Sequence, residues 1–469
     1  MANETLYAAC DAFWKESALK ALEDFIRVPS VSTGFDPDWE KNGFLDKACE
    51  LSVAWAKSVF PKAAFEIHRE KGRTPVIFYE IAASTGCEGK PAVGFYGHLD
   101  KLPGFEGWAD GIDAFTPRIR DGKLFGRGGA DDGYAFYLAL AAVKAVERAG
   151  LSHPRIIGVF ETREECGCAD MPHWMQVLHD RLGKVAAMFV LDSDCCRYDN
   201  VYLTTSLRGL IVATLSVKTM TAPVHSGSFS GLVPDAYAIG LALLSRTFDF
   251  ASGKVKLPEF FTEIEPGRRD KLAASARELK ELVYMDPPMA EGVALKVTDY
   301  AKAMLSVSWE PTMTVIGIDG MPSVAEGGNA VPAEVVFSLS GRVPPQVDAK
   351  AAARALGKAL TEDVPYGAQV AFKADIANPG WAMGQGNPEV LAGLEASCRN
   401  VFGKNPYYLA VGSSIPVAND FERHMPGVTI AMTGLLGPES NAHAKNEAID
   451  LAYMYRLTHF VADFVASQA

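Results

Sequence analysis

Four short stretches, residues 75–79, 93–96, 156–160 and 187–191, contain only apolar residues, glycine and proline, with no charged side chain. A half-exposed strand alternates apolar and polar residues. An unbroken apolar run of this length therefore reads as a strand buried on both faces. Helical periodicity fills the gaps. Residues 12–26 read as an amphipathic helix closed by Val28-Pro29, 44–59 as a second, and 134–149 as a third that stops at Gly150. Charge-free strands alternating with helices predict an α/β fold, a mostly parallel sheet covered by helices.

The pattern changes near Leu207. Residues 210–217 and 334–341 alternate apolar with small polar residues, as half-exposed antiparallel strands do, and helical segments follow at 235–246 and 348–360. Residues 268–282 read as a further, charged helix. After about residue 385 the first pattern returns, with helices at 388–402 and 451–466 and a strand at 428–432. The expected organisation is a catalytic domain made of 1–206 and 385–469, with a smaller α+β lid domain, 207–384, inserted into it. A chain of 469 residues, 48% of them hydrophobic, supplies core for two such domains, and disordered or fibrous classes are excluded.

Composition narrows the partners. Lys plus Arg number 45 against 57 Asp plus Glu, a net charge of −12, which argues against non-specific nucleic-acid binding. The amino terminus lacks a charged-then-apolar leader. The longest nearly uncharged helical run, 134–143, stops at Lys144, well short of the roughly 20 apolar residues a bilayer span needs. A soluble protein with no membrane contact is expected. Eight cysteines, two pairs of them close together (Cys166/Cys168 and Cys195/Cys196), suit reduced thiols and a cytoplasmic location better than a disulfide framework.

Ligands of open α/β sheets bind beyond the carboxyl ends of the strands. Here 93–96 runs into Gly97-His98-Leu99-Asp100 and 156–160 into Glu161-Thr162-Arg163-Glu164-Glu165. Likewise 187–191 runs into Asp192-Ser193-Asp194, and 428–432 leads on to His443. Singly, these are a polar strand end, a helix start favoured by the dipole, and a helix cap. Together, at equivalent strand ends, they are a set of metal-ligand types. Imidazole plus carboxylate suits a zinc site with an open position. In extended backbone His98 and Asp100 point to the same side, so the carboxylate can orient the imidazole. Gly126-Arg127-Gly128-Gly129-Ala130-Asp131 places Asp131 on a glycine-rich turn facing the same crevice. An acid where a dinucleotide fingerprint has its third glycine repels a pyrophosphate, but it can bridge two cations.

These residues resemble a known family, the di-zinc aminoacylases, carnosine and non-specific dipeptidases and carboxypeptidase G. The matching pieces are Gly97-His98-Leu99-Asp100, Gly126-Arg127-Gly128 through Asp131-Asp132, Glu164-Glu165, Asp192, His225-Ser226-Gly227 and Ala442-His443-Ala444-Lys445-Asn446-Glu447, in family order. Thr205-Ser206-Leu207-Arg208-Gly209, Gly341-Arg342-Val343-Pro344 and Ser414-Ile415-Pro416-Val417 look most like the dipeptidase branch.

The resemblance implies two divalent metal ions, zinc first and manganese or cobalt as alternatives. His98 and Asp192 would hold one, Glu165 and His443 the other, and Asp131 would bridge both and precede a cis peptide bond. Glu164 would be the general base and Asp100 would orient His98. His225 would stabilise the oxyanion, with the lid forming a homodimer, and Asn329, Arg342 and the Gly412-Ser413-Ser414 loop would bind substrate. The reaction implied is hydrolysis of dipeptides or small peptides with a free carboxylate. Hydrolysis of N-acyl amino acids or small amides is the alternative, and a non-catalytic binding protein a remote one. A nucleophile-based hydrolase lacks its Gly-x-Ser-x-Gly elbow.

Three departures stand out. Gly133 replaces the family's lysine after the Asp-Asp pair, Ala410 or Val411 replaces an arginine before the glycine loop, and thiols adjoin the ligands. Asp194 competes with Asp192 as ligand. Asp192 directly follows the apolar run and is preferred.

Overall fold

The structure, a computed structural model, describes residues 2–280 and 289–469. Its main sheet contains β1 (Ala64–His68), β2 (Val76–Ile81), β3 (Ala92–His98), β4 (Ile156–Glu161), β5 (Val185–Val190), β6 (Tyr202–Leu207), β7 (Trp381–Ala382), β8 (Tyr407–Val411) and β9 (Thr429–Met432). The order is β1-β2-β4-β3-β5-β9-β6-β7, with β8 beside β6. The central strands β4, β3, β5 and β9 run parallel, and the outer β1, β2 and β7 pair antiparallel. Four strands, β1, β6, β7 and β8, have no counterpart among the expected runs.

Successive side chains of a strand point to opposite faces, and here each face meets its own apolar layer. Val93 and Phe95 of β3 enter one core with helices Tyr134–Arg148 and Leu451–Ser467. Ala92 and Tyr96 enter the other with helices Met171–Leu182 and Val417–His424. Every residue of β3 and β4 is buried, which explains why these runs carry no charge before their last residues. The α/β architecture read from the sequence is the one observed.

The chain leaves the main sheet at Leu207 and returns at Trp381, and these two residues pair with each other. The excursion contains a four-stranded antiparallel sheet ordered Thr312–Asp319, Glu334–Val343, Gly209–Lys218, Gln369–Asn378. Helices Ala236–Leu244 and Ala349–Thr361 cover one face, packing Leu243 and Leu356 on Leu215, Phe337 and Leu339. The alternation in Gly209–Lys218, buried then half-buried along its whole length, is the pattern of a sheet covered on one side.

Not all of the insertion packs with this lid. Helices Pro266–Leu279 and Tyr300–Ser308 lie against β8, and Leu272, Ala276, Met304 and Trp309 join the main core. Trp309 Nε1 donates to Ser206 Oγ at 3.1 Å, and Arg268 Nη2 to the Met383 carbonyl at 2.7 Å. The expected helix 268–282 ends at Leu279, and its last two residues lie outside the described residues. All eight cysteines are free, and no described helix is long and apolar enough to cross a membrane. Trp309→Ala removes a core aromatic together with its hydrogen bond. It is expected to lower unfolding free energy by about 3–5 kcal/mol in urea titrations.

Candidate metal centre

Strand ends and one turn bring the ionisable groups together. Asp131 sits on the turn Gly129–Gly133 that opens helix Tyr134–Arg148, and its peptide bond to Asp132 is cis. One carboxylate oxygen of Asp131 lies 3.1 Å from His98 Nε2, and the other lies 3.0 Å from His443 Nε2. Outside this bridge, Asp192 Oδ2 is 4.0 Å from His98 Nε2 and Glu165 Oε2 is 3.2 Å from His443 Nε2. The result is two half-sites sharing one carboxylate. His98, Asp131 and Glu165, and likewise His98, Asp132 and Asp192, have ligand atoms within 4.8 Å of one another.

Two of the ligand-bearing segments are fixed by a carboxylate that accepts backbone amides. Asp100, fully buried, lies 3.3 Å from His98 Nδ1 through its side chain, and its carbonyl is 3.0 Å from the same nitrogen. Its two oxygens also accept the amides of Glu164 and Glu165, at 3.1 and 3.2 Å. A single side chain thus orients an imidazole and sets the adjacent glutamates. Glu447 does the same for the opposite wall. It accepts from the amides of Gly128, Ala130 and Asp131 at 3.0, 2.9 and 3.1 Å, and from Arg127 Nη1 at 2.7 Å. Arg127 in turn donates to the Ala444 carbonyl, so the turn bearing Asp131 is tied to the loop bearing His443. His443 itself has φ 61°, in the left-handed region that few non-glycine residues occupy.

The electrostatics describe a site built for cations. Among the described residues, the ion-pair partners of Asp131, Asp192 and Glu165 are His98 and His443. Burial, with Asp131 adding to it, pushes Glu165 up to about 7 and Asp192 up to about 6. Burial followed by the Asp192 charge raises Glu164 well above the carboxylate range. Burial pulls His98 down, but its bonds to Asp100 and Asp131 outweigh that and hold it well above an ordinary imidazole. Hydrogen bonds to Asp131 and Glu165 lift His443 to about 11. Among the described residues no lysine or arginine pairs with these buried carboxylates, and divalent cations fit the cluster in both composition and charge.

A cavity of about 690 Å³ opens onto the cluster. It is lined by Asp131, Glu164, Asp192 and His443, with Asp194, Ser413 and Ser414 among the rest. Arg342 Nη1 donates to Ser414 Oγ at 3.1 Å, which places Arg342 beside that rim, and Gly412 directly precedes it. His225 and Asn329 lie elsewhere. They are exposed on a two-stranded arm of the lid, where His225 pairs with Ala330 and the Ser226 amide donates to the Asn329 carbonyl at 2.8 Å. Among the described residues neither bonds to the cluster.

Two contributors carried no expected role. Glu447 stands four residues past His443 in a motif whose histidine drew attention first. Asp132 lies beneath His98, its Oδ2 accepting the His98 amide at 3.3 Å. Only a glycine at 97 allows this approach, since a Cβ there would stand 2.5 Å from Asp132 Oδ2.

The profile described as Peptidase family M20/M25/M40 matches residues 94–467, so the chain belongs to that family. Among curated proteins it is 26% identical over 384 residues to Cys-Gly metallodipeptidase dug1 of Schizosaccharomyces pombe, covering 77% of this chain and 76% of that protein. It is also 26% identical over 389 residues to the Beta-Ala-His dipeptidase of Homo sapiens, covering 80% of this chain and 74% of that protein. Among solved structures, the M20 family metallo-carboxypeptidase Sso-CP2 from Sulfolobus solfataricus shares the fold with a TM-score of 0.80 at 19% identity. That match covers 97% of this chain and 99% of the other.

Glu447→Ala would leave Arg127 buried without its counter-charge and three amides unpaired. It is expected to cost about 3–5 kcal/mol of stability in denaturant titrations. Because both imidazoles hold protons far above their usual range, zinc added to chelator-treated protein must displace them. Calorimetry in buffers of different ionisation heat is expected to show proton release at neutral pH, and affinity that weakens as pH falls.

Proposed function

We propose that this chain is a two-metal hydrolase that cleaves the amide bond of dipeptides or small peptides with a free carboxylate. The single observation that carries this is the Asp131 carboxylate shared between His98 and His443, with Asp192 and Glu165 on the outer sides. His98 and Asp192 would hold one ion and His443 and Glu165 the other, with Asp131 between them. Zinc is the first choice, with manganese or cobalt tolerated by the same donors. Held there, such ions would supply Lewis acidity towards a water and the scissile carbonyl.

The chain's own residues do the rest. Glu164 adjoins a ligand, lines the cavity and takes the water's proton, then delivers it to the leaving amine. Asp100 keeps the His98 ring and the Glu164-Glu165 backbone in register with each other. Closure of the lid, with a homodimer formed through it, brings His225 to the oxygen that gains charge. Arg342, Asn329 and residues 412–414 then hold the substrate carboxylate. The dipeptidase names of the relatives favour peptides with a free amine. N-acyl amino acids remain the second substrate class for the same chemistry, and a cytosolic setting agrees with the free thiols.

The test is hydrolysis of a library of dipeptides beside N-acyl amino acids by enzyme loaded with zinc or manganese. Release from dipeptides is expected, and turnover of acylated substrates alone would replace the peptide assignment. Glu164→Gln is expected to lower kcat by about 10²–10⁴-fold with metal content unchanged.

A further inference from the structure

Beside Glu164 lies a buried polar chain in which the metal ligands take no part. Tyr96, fully buried in β3, donates its hydroxyl to Glu161 Oε1 at 2.7 Å. Glu161, the last residue of β4, is 2% exposed, and its other oxygen is buried without a partner. Cys168, 3% exposed, puts its sulfur 3.9 Å from the Tyr96 hydroxyl and 4.0 Å from Glu164 Oε1.

Counting protons gives these contacts a direction. Tyr96 has one hydroxyl proton, which Glu161 takes, so it has none for the sulfur. The sulfur also neighbours Glu161, and its geometric contact as a donor is to the Glu164 carboxylate, a stronger acceptor than the Tyr96 oxygen. Burial, with the Asp100 charge adding to it, pushes Glu161 up to about 8.

The backbone is shaped to make this contact. After the short turn Glu164–Cys166, Gly167 has φ 87° and Cys168 φ 53°. A left-handed glycine is ordinary, whereas a left-handed cysteine costs free energy that its surroundings must offset. The Cys168 amide donates to the Arg163 carbonyl at 3.1 Å and the Gly167 amide to the Glu164 carbonyl at 2.7 Å. The chain is thereby folded back so that the thiol returns to the glutamate four residues earlier.

We propose that Cys168 is a positioning residue: its thiol, lodged against Tyr96, donates to Glu164 Oε1 and holds that carboxylate in the orientation from which it accepts the water's proton. This rests on Glu164 being the general base. The sulfur is buried and its neighbours are acidic, so its work is to aim a neighbour and not to act as a nucleophile.

The experiment measures kcat and KM for holoenzyme carrying Cys168→Ala, Cys168→Ser, Glu164→Ala and the Cys168→Ala/Glu164→Ala pair, with metal content and thermal unfolding recorded for each. Cys168→Ala is expected to lower kcat about 5- to 20-fold while KM stays within about twofold, the scale of one weak bond to a charged group. Cys168→Ser, which keeps a donor, should recover most of the loss. In the Glu164→Ala background the cysteine substitution should cost nothing further, because the group it aims is gone.

An unchanged kcat in Cys168→Ala overturns the proposal, as does a serine variant as slow as the alanine one. An equal loss in the Glu164→Ala background would show a merely structural role and overturns it too. If Glu164→Ala alone keeps the parent rate, the general-base reading falls and takes the proposal with it. If Glu164→Ala is slow and Cys168→Ala is not, only the proposal falls.

Discussion

One carboxylate with an imidazole on each oxygen organises the whole catalytic domain. Asp131 lies 3.1 Å from one histidine and 3.0 Å from the other, and those histidines stand 345 positions apart (443 − 98) in the chain. To assemble this, folding must place like-charged carboxylates side by side out of water, an arrangement that divalent cations balance far better than protons do.

Holding such a cluster demands more than its own attractions. Asp100 and Glu447 accept backbone amides from the loops that carry the ligands, and each is itself buried. A backbone amide has no rotamer to lose, so a carboxylate that binds two or three of them fixes a loop more firmly than a side-chain pair does. The buried Arg127–Glu447 pair then ties the carboxyl-terminal loop to the glycine-rich turn. Removing either partner strands a charge, so this pair binds two distant segments with little tolerance for change.

The insertion adds a second level. Its entry and exit strands pair at Leu207 and Trp381, while Trp309 and Arg268 anchor two of its helices to the main core. The antiparallel sheet with its own helices thus forms a separate core, joined to the main one at several chain crossings. Ser414, bonded to both Arg342 and the Arg208 carbonyl, lies at the junction.

Much of this was written in local sequence. Charge-free runs predict doubly covered strands because a residue facing either core has no water to meet. The acids and histidines at their ends predict a metal centre because four neighbouring strand ends converge, and helix 44–59 is found with those bounds. Strands β1, β6, β7 and β8 were not legible: β1 and β8 are edges, β7 has two residues, and the buried hydroxyls of Thr204, Thr205 and Ser206 break the apolar run of β6. The split of residues 207–384 between lid and core was equally hidden, because an amphipathic helix does not say which neighbour its apolar face will meet. The roles of Glu447, Asp132 and Cys168 depend on distances between segments far apart in the chain or folded back on themselves. Residue types alone thus determined that cations would be held at the ends of a parallel sheet. Only the tertiary structure decided which oxygen faces which nitrogen, because that is set by packing across the whole chain and not by any local pattern.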